Sequence, residues 1–201
     1  MPILHQCDYQ RVRWKNDGGW TTQLAVCPAS SKEAGVAFDW RISIAEIETD
    51  GAFSVFPGCD RHIALLDGIG MHLSFDKAPD VELNERLRFV HFDGEWRTHG
   101  RLQSGPVRDF NVISRRDAVT VQVLHRPLVG PMVFLPEANV TWFVYVAGGH
   151  AELMNGDASS DLRTADSVLL EAHESGGNVV LDGGGEVVLV KLLRHSSTDC
   201  A

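Results

Sequence analysis

The sequence predicts an all-β protein built of two similar β-barrel halves, and three observations carry that expectation. Turn signals such as Asp17-Gly18-Gly19, Asp67-Gly68, Asp93-Gly94, Asn155-Gly156 and Asp182-Gly183-Gly184 punctuate short apolar runs along the chain. No long stretch shows the 3.6-residue period of an amphipathic helix. Instead, 38–47, 63–75, 119–124, 140–146 and 186–193 are rich in Val, Ile, Phe and Trp, which suit a pleated, half-buried surface. The third observation is an internal similarity: 63–73 resembles 143–153 at an offset of 80 residues, and 119–125 resembles 187–193 at a shorter one. Two matches in the same order point to duplication, each pairing an apolar strand with a glycine turn or with the end of its half.

Taken in order, 14–20 reads as a first hairpin, 38–47 as a long strand, and 63–73 as a strand that reverses at Asp67-Gly68 into a second one. The two prolines of His125-Arg126-Pro127-Leu128-Val129-Gly130-Pro131 interrupt strand pattern and place a boundary, giving an N-terminal half at 1–125 and a C-terminal half at 126–201. With no low-complexity linker, the halves are expected to pack together. Gly183-Gly184-Gly185 lies between apolar runs and reads as a hairpin, and 196–201 reads as a frayed tail.

Composition narrows the function. The chain has 201 residues, 44% of them hydrophobic, enough for a packed core without staples. A net charge of −9, from 27 acidic and 18 basic residues, argues against nucleic acid as a partner, since affinity for phosphates comes from Lys and Arg. No segment approaches the ~20 apolar residues that cross a bilayer, and the N-terminus lacks a signal-peptide pattern, so a cytoplasmic protein off the membrane is expected. Cys7, Cys27, Cys59 and Cys200 form no C-x-x-C pair and read as reduced, mostly buried thiols.

Four segments carry polar groups in unusual company. Trp14-Lys15-Asn16-Asp17-Gly18-Gly19-Trp20 supports two readings: a ligand loop in which Lys15 and Asn16 supply a charge and an amide, or an ordinary hairpin turn. Along 38–47, alternation sends Trp40, Ile42 and Ile44 to one face and Arg41, Ser43 and Ala45 to the other. Inside a barrel mouth that second face leaves room for a ligand, and Arg41 offers a fork that matches a carboxylate. In 50–62, Phe53, Phe56 and Pro57 close a barrel end, while Asp60, Arg61 and His62 either point into the cavity or form a local ion pair. In 109–116, Asp109 and Asn111 share a face with Ile113 and either bind ligand or tie a loop together.

Metal and nucleophilic chemistry have weaker support. The nine histidines form no H-x-H or H-x-x-x-H pair, and His150 and Glu152 alternate alone, so no metal and no cofactor are expected. There is no G-x-S-x-G elbow and no phosphate-cradling loop.

Taken together, 14–22, 38–45, 50–61, 65–70 and 109–116 resemble the HutD/Ves family, through W-K-N-x-G-G with a following Thr, F-D-W-R-x-S-x-A, D-G-x-F-S-x-F-P-G-x-D-R, L-L-x-G-x-G and D-F-N-V followed by Arg. Asp17 stands where many relatives carry a further glycine. The resemblance implies a cupin (RmlC-like jelly roll) fold with two barrels in one chain, and an association with histidine utilisation. It further implies a carboxylate ligand such as urocanate or a formylated glutamate, held by Arg41 or Arg61 with Asn16 or Asn111. The expected function is a non-catalytic regulator that senses or buffers such an intermediate through a pocket in the first half. The alternative is a metal-independent isomerase or hydrolase using His62 or His72 as general base beside Asp60 or Asp109. Edge-strand pairing into a homodimer is left open.

Overall fold

A computed structural model of the chain describes residues 3–28, 36–171 and 177–195. Apart from a short 3-10 turn at Gln6–Asp8, every regular element among them is a β-strand, so the all-β expectation holds. No helix among them is long and apolar enough to cross a membrane. Two compact units emerge: one holds 9–119, the other joins the described residues up to Asp8 with those from Thr120 onward. Residues 120–125, expected in the first half, thus fall in the second unit, as does the N-terminal strand.

The 9–119 unit contains β2 (Gln10–Arg13), β3 (Gly19–Pro28), β4 (Phe38–Ile47), β5 (Gly51–Ala52), β6 (Cys59–Asp67), β7 (Met71–Phe75), β8 (Val81–Leu83), β9 (Val90–Asp93), β10 (Thr98–Leu102) and β11 (Val107–Arg115). β1 (Ile3–Leu4) belongs to the other unit. Six strands form an antiparallel sheet in the order β2-β3-β4-β11-β6-β9, and four form a second in the order β5-β10-β7-β8. One core cluster joins them, with Ala45, Ile47, Ile63 and Leu65 from the first sheet against Met71, Leu73 and Leu83 from the second. The predicted alternation along β4 therefore sends its odd-numbered residues into the sandwich. Trp40, Ile42 and Ile44, on the other face, are buried too.

The second unit is a seven-stranded sheet of β1, β12 (Val119–Val129), β13 (Met132–Phe134), β14 (Val140–Asn155), β15 (Ala158–Arg163), β16 (Ser167–Glu171) and β17 (Val179–Arg194). Its core gathers Val144, Val146, Ala151 and Leu153 of β14 with Leu181, Val187 and Leu189 of β17. A bulge between Val146 and Gly148 shifts the inward set of β14 from even to odd numbers, so both ends of the long strand feed the same core.

Three expectations need correction here. The sheets are open, with edges such as β2 and β9, rather than closed barrels. The repeat is looser than the sequence implied: 63–73 turns from β6 into β7, which lie in different sheets, whereas 143–153 runs unbroken along β14 because the bulge absorbs its glycines. The second pair, 119–125 and 187–193, lies on β12 and β17, neighbours in one sheet rather than counterparts in two units. Gly183–Gly185 is likewise no hairpin but the middle of β17, opposite Gly149–Ala151. A Cβ on Gly185 would lie 2.1 Å from the Gly148 carbonyl oxygen, and its φ of +134° also favours glycine. Among the cysteines, Cys59 is buried, Cys27 partly so and Cys7 exposed. Cys200 and the tail 196–201 lie outside the described residues.

Candidate functional site

Antiparallel register builds the site. In the six-stranded sheet Ile113 of β11 pairs with Arg41 of β4 and Arg61 of β6, Asn111 pairs with Ser43 and Ile63, and Asp109 pairs with Ala45 and Leu65. Three rungs of inward side chains therefore stack arginines, then amide and hydroxyl, then a carboxylate. Along these rungs a cavity of about 460 Å³ opens within the 9–119 unit, inside the size range of small-molecule pockets. Arg41, Ser43, Arg61 and Asn111 line it, as do Lys15 and Asn16 of the β2–β3 turn.

The turn holds its shape through its own polar groups. Asn16 Oδ1 accepts the Gly18 N–H at 3.2 Å, and Trp14 Nε1 donates to Thr21 Oγ1 at 2.8 Å. Gly19 admits no side chain, because a Cβ there would lie 2.2 Å from the Glu46 carbonyl oxygen. Asp17 adopts φ +55°, in the left-handed region that favours glycine, and its carbonyl accepts from Arg13 Nη2 at 2.6 Å. The two readings of this segment are thus compatible: it is a built turn, and its Lys15 and Asn16 stand at the cavity.

The arginines are unusual. Arg61 is buried, its guanidinium 4.7 Å from the Phe53 ring centre, and its Nε donates to Asn111 Oδ1 at 3.1 Å. Arg41 lies over Phe38 and Phe56 at 5.1 and 5.4 Å, and its Nε is buried without a hydrogen-bond partner. Neither has a carboxylate at ion-pair distance among the described residues. Loss of hydration lowers the proton affinity of both, Arg61 to about 10, where Asp109 opposes the fall and the positive Arg41 adds to it. Aromatic faces supply only part of what water supplied. Two forked donors without an anion are an arrangement suited to receiving one.

Asp109 lies beneath the cavity rather than on its lining. It is fully buried, Oδ2 has no partner, and Oδ1 has a long contact of 3.5 Å with Asn111 Nδ2. Burial pushes its carboxyl up to about 7 against the pull of Arg61 and the Asn111 hydrogen bond. Asn111 is therefore a bridge that holds Arg61 on one side and reaches Asp109 on the other.

His62, expected in the site, does not join it. Strand alternation turns it to the opposite face of β6, where its ring stacks on His91 with centres 4.6 Å apart. The expected Asp60–Arg61 ion pair is absent as well. Asp60 accepts instead from Arg116 Nε at 2.7 Å, and Arg116 also meets Asp93 and Glu95. His72 is engaged outside the cavity, with Asp80 at 2.9 Å and Glu82 at 2.7 Å, so no His–Asp pair faces the cavity. Arg115 binds Asp39 and Asp117. Among the described residues no three His, Cys, Asp or Glu side chains form a metal-holding group. Phe38, Phe53 and Phe56 also lay aromatic faces against the two guanidiniums. Phe53 and Phe56 appeared as end-closing residues, and their place three apart just before Arg61 was the available signal.

Comparison with known proteins bears on this geometry. The HutD family model matches residues 6–189. The chain belongs to the HutD family. Residues of this chain align at 41% identity over 113 residues with the "Uncharacterized 21.2 kDa protein in hutC 3'region" of Pseudomonas putida, covering 56% of this chain and 57% of that protein. Protein Ves of Escherichia fergusonii aligns at 32% over 111 residues, covering 55% and 56%. The alignments thus span little more than half the length of these curated relatives. The structure of HutD from Pseudomonas fluorescens SBW25 matches with a TM-score of 0.82 and 27% identity, over 97% of this chain and 99% of that one. The expected resemblance is therefore correct, and the agreement in fold extends well beyond the motif-bearing stretch.

Proposed function

We propose that this HutD-family chain is a non-catalytic, cytoplasmic small-molecule binder that holds a carboxylate intermediate of histidine breakdown, urocanate or formylglutamate, and so senses or buffers it. The observation that carries the reading is the pair of guanidiniums, Arg41 and Arg61, lining one cavity with no carboxylate at ion-pair distance among the described residues. An incoming carboxylate would supply the missing charge and acceptors, and Lys15 and Asn16 would engage its polar end. The family and the P. putida relative's place beside hutC support the histidine setting. Each unit is read as one cupin-like half, with the occupied pocket in the first.

A thermal-shift series with both acids tests the proposal. Ligand at 100 times its Kd adds ~2.7 kcal/mol, which for a chain of this size raises Tm by roughly 5–10 °C. Arg61→Ala and Arg41→Ala should each reduce or abolish the shift. No shift with either acid, or full shifts in both variants, would refute it.

A further inference from the structure

The carboxylate reading leaves one buried group unexplained. Asp109 is 0% exposed, it touches no bulk water, and its Oδ2 has no hydrogen-bond partner. Its charged surroundings can be followed strand by strand. Arg61 on β6 is the nearby cation, with Arg41 on β4 acting on Arg61, and Asn111 on its own strand is the polar neighbour. Its register partners Ala45 and Leu65 are apolar. So are Met71, Leu73 and Leu83, which the facing sheet contributes to the core. The attraction that favours an ionised Asp109 therefore comes from Arg61, delivered across Asn111, and that same guanidinium is the one a ligand anion would neutralise.

We propose that the cavity takes up a proton together with its carboxylate ligand, and that Asp109 is the group that receives it. The inference rests on the carboxylate reading above. Two negative charges drawing on one Arg61 carry an electrostatic cost, because Arg61 and Asp109 are both buried away from bulk water. The cost disappears when a proton from solvent bonds to Oδ2, leaving a neutral carboxylic acid beneath Asn111 and an anion above it. In the unliganded chain burial already brings this group to about 7, so a modest further push completes the protonation near neutral pH. Asp109 is thereby a positioning residue: it acts through Asn111 and Arg61 and never touches the ligand.

Calorimetric titration with formylglutamate, which has no group of its own titrating near neutrality, reads the coupling directly. Run at about pH 8 in triethanolamine and in Tris, whose ionisation heats differ, wild-type protein should take up roughly half a proton or more per ligand. Its Kd should weaken with rising alkalinity, by up to about tenfold per pH unit. Asp109→Asn should bind with no proton uptake and a flat pH profile. Should that variant fail to fold, the pH profile of the wild-type Kd decides: it should be level below about pH 7 and weaken above it, and a profile level throughout overturns the proposal. Binding with heats independent of buffer overturns proton coupling and leaves the carboxylate reading standing. A proton uptake that persists in Asp109→Asn overturns the assignment to Asp109. Absence of binding overturns both.

Discussion

At the scale of single residues, Asp109 and His62 show how two sides of one sheet place opposite demands on pH. Asp109, raised from 3.8 to about 7, holds its proton more tightly in the folded chain than in the unfolded one. Its contribution to stability is therefore full below its unfolded value and is lost as pH rises through about 7. His62, lowered from 6.5 to about 4 chiefly by burial and then by His91, works in the other direction. Its contribution is present above its unfolded value and is lost as pH falls through about 4. The two windows overlap, so the wild-type stability profile should be flattened between about pH 4 and pH 7. Asp109→Asn removes one of the opposing slopes. Urea unfolding should show stability that climbs with pH across this window, and a variant more stable than wild type at about pH 8, by on the order of a few kcal/mol. A variant no more stable there than wild type would refute the buried-charge account.

At the scale of elements, the long β14–β17 pair is shaped by glycines that approach each other across the ladder. Gly185 lies against the Gly148 carbonyl at φ +134°, whereas a Cβ on its neighbour Gly184 would meet nothing within 4 Å. Gly185→Ala should therefore cost at least ~2 kcal/mol, because backbone, not a flexible side chain, stands in the way. Gly184→Ala should cost under ~1 kcal/mol. Comparison of urea midpoints for the two variants checks this, and equal losses would count against the close approach. The sequence shows the glycines here but not their role. Asp182-Gly183 has the form of a hairpin turn, and only the facing Gly148-Gly149, more than thirty residues away, shows that it is a crossing within a strand. Local chemistry sufficed at Asn155-Gly156, where β14 reverses into β15.

At the scale of the whole molecule, every residue lining the candidate cavity belongs to the 9–119 unit. Hydrogen exchange with formylglutamate bound should accordingly gain protection in β3, β4, β6 and β11, with little change along β14 and β17. Protection concentrated in the second unit would move the pocket there. The sequence by itself determined that this chain is all-β, that it belongs with the HutD proteins, that Arg41 and Ser43 share one strand face, and that Asp109 and Asn111 share another. Period-two alternation and turn chemistry are local, so they can be read along a single strand. Only the tertiary structure decided that three strands stack those residues in rungs, that Arg61 bonds Asn111 while Asp60 takes Arg116, and that His62 faces away. Register between strands distant in sequence is set by packing and by which charges lose their water, and neither is written at any one position of the chain.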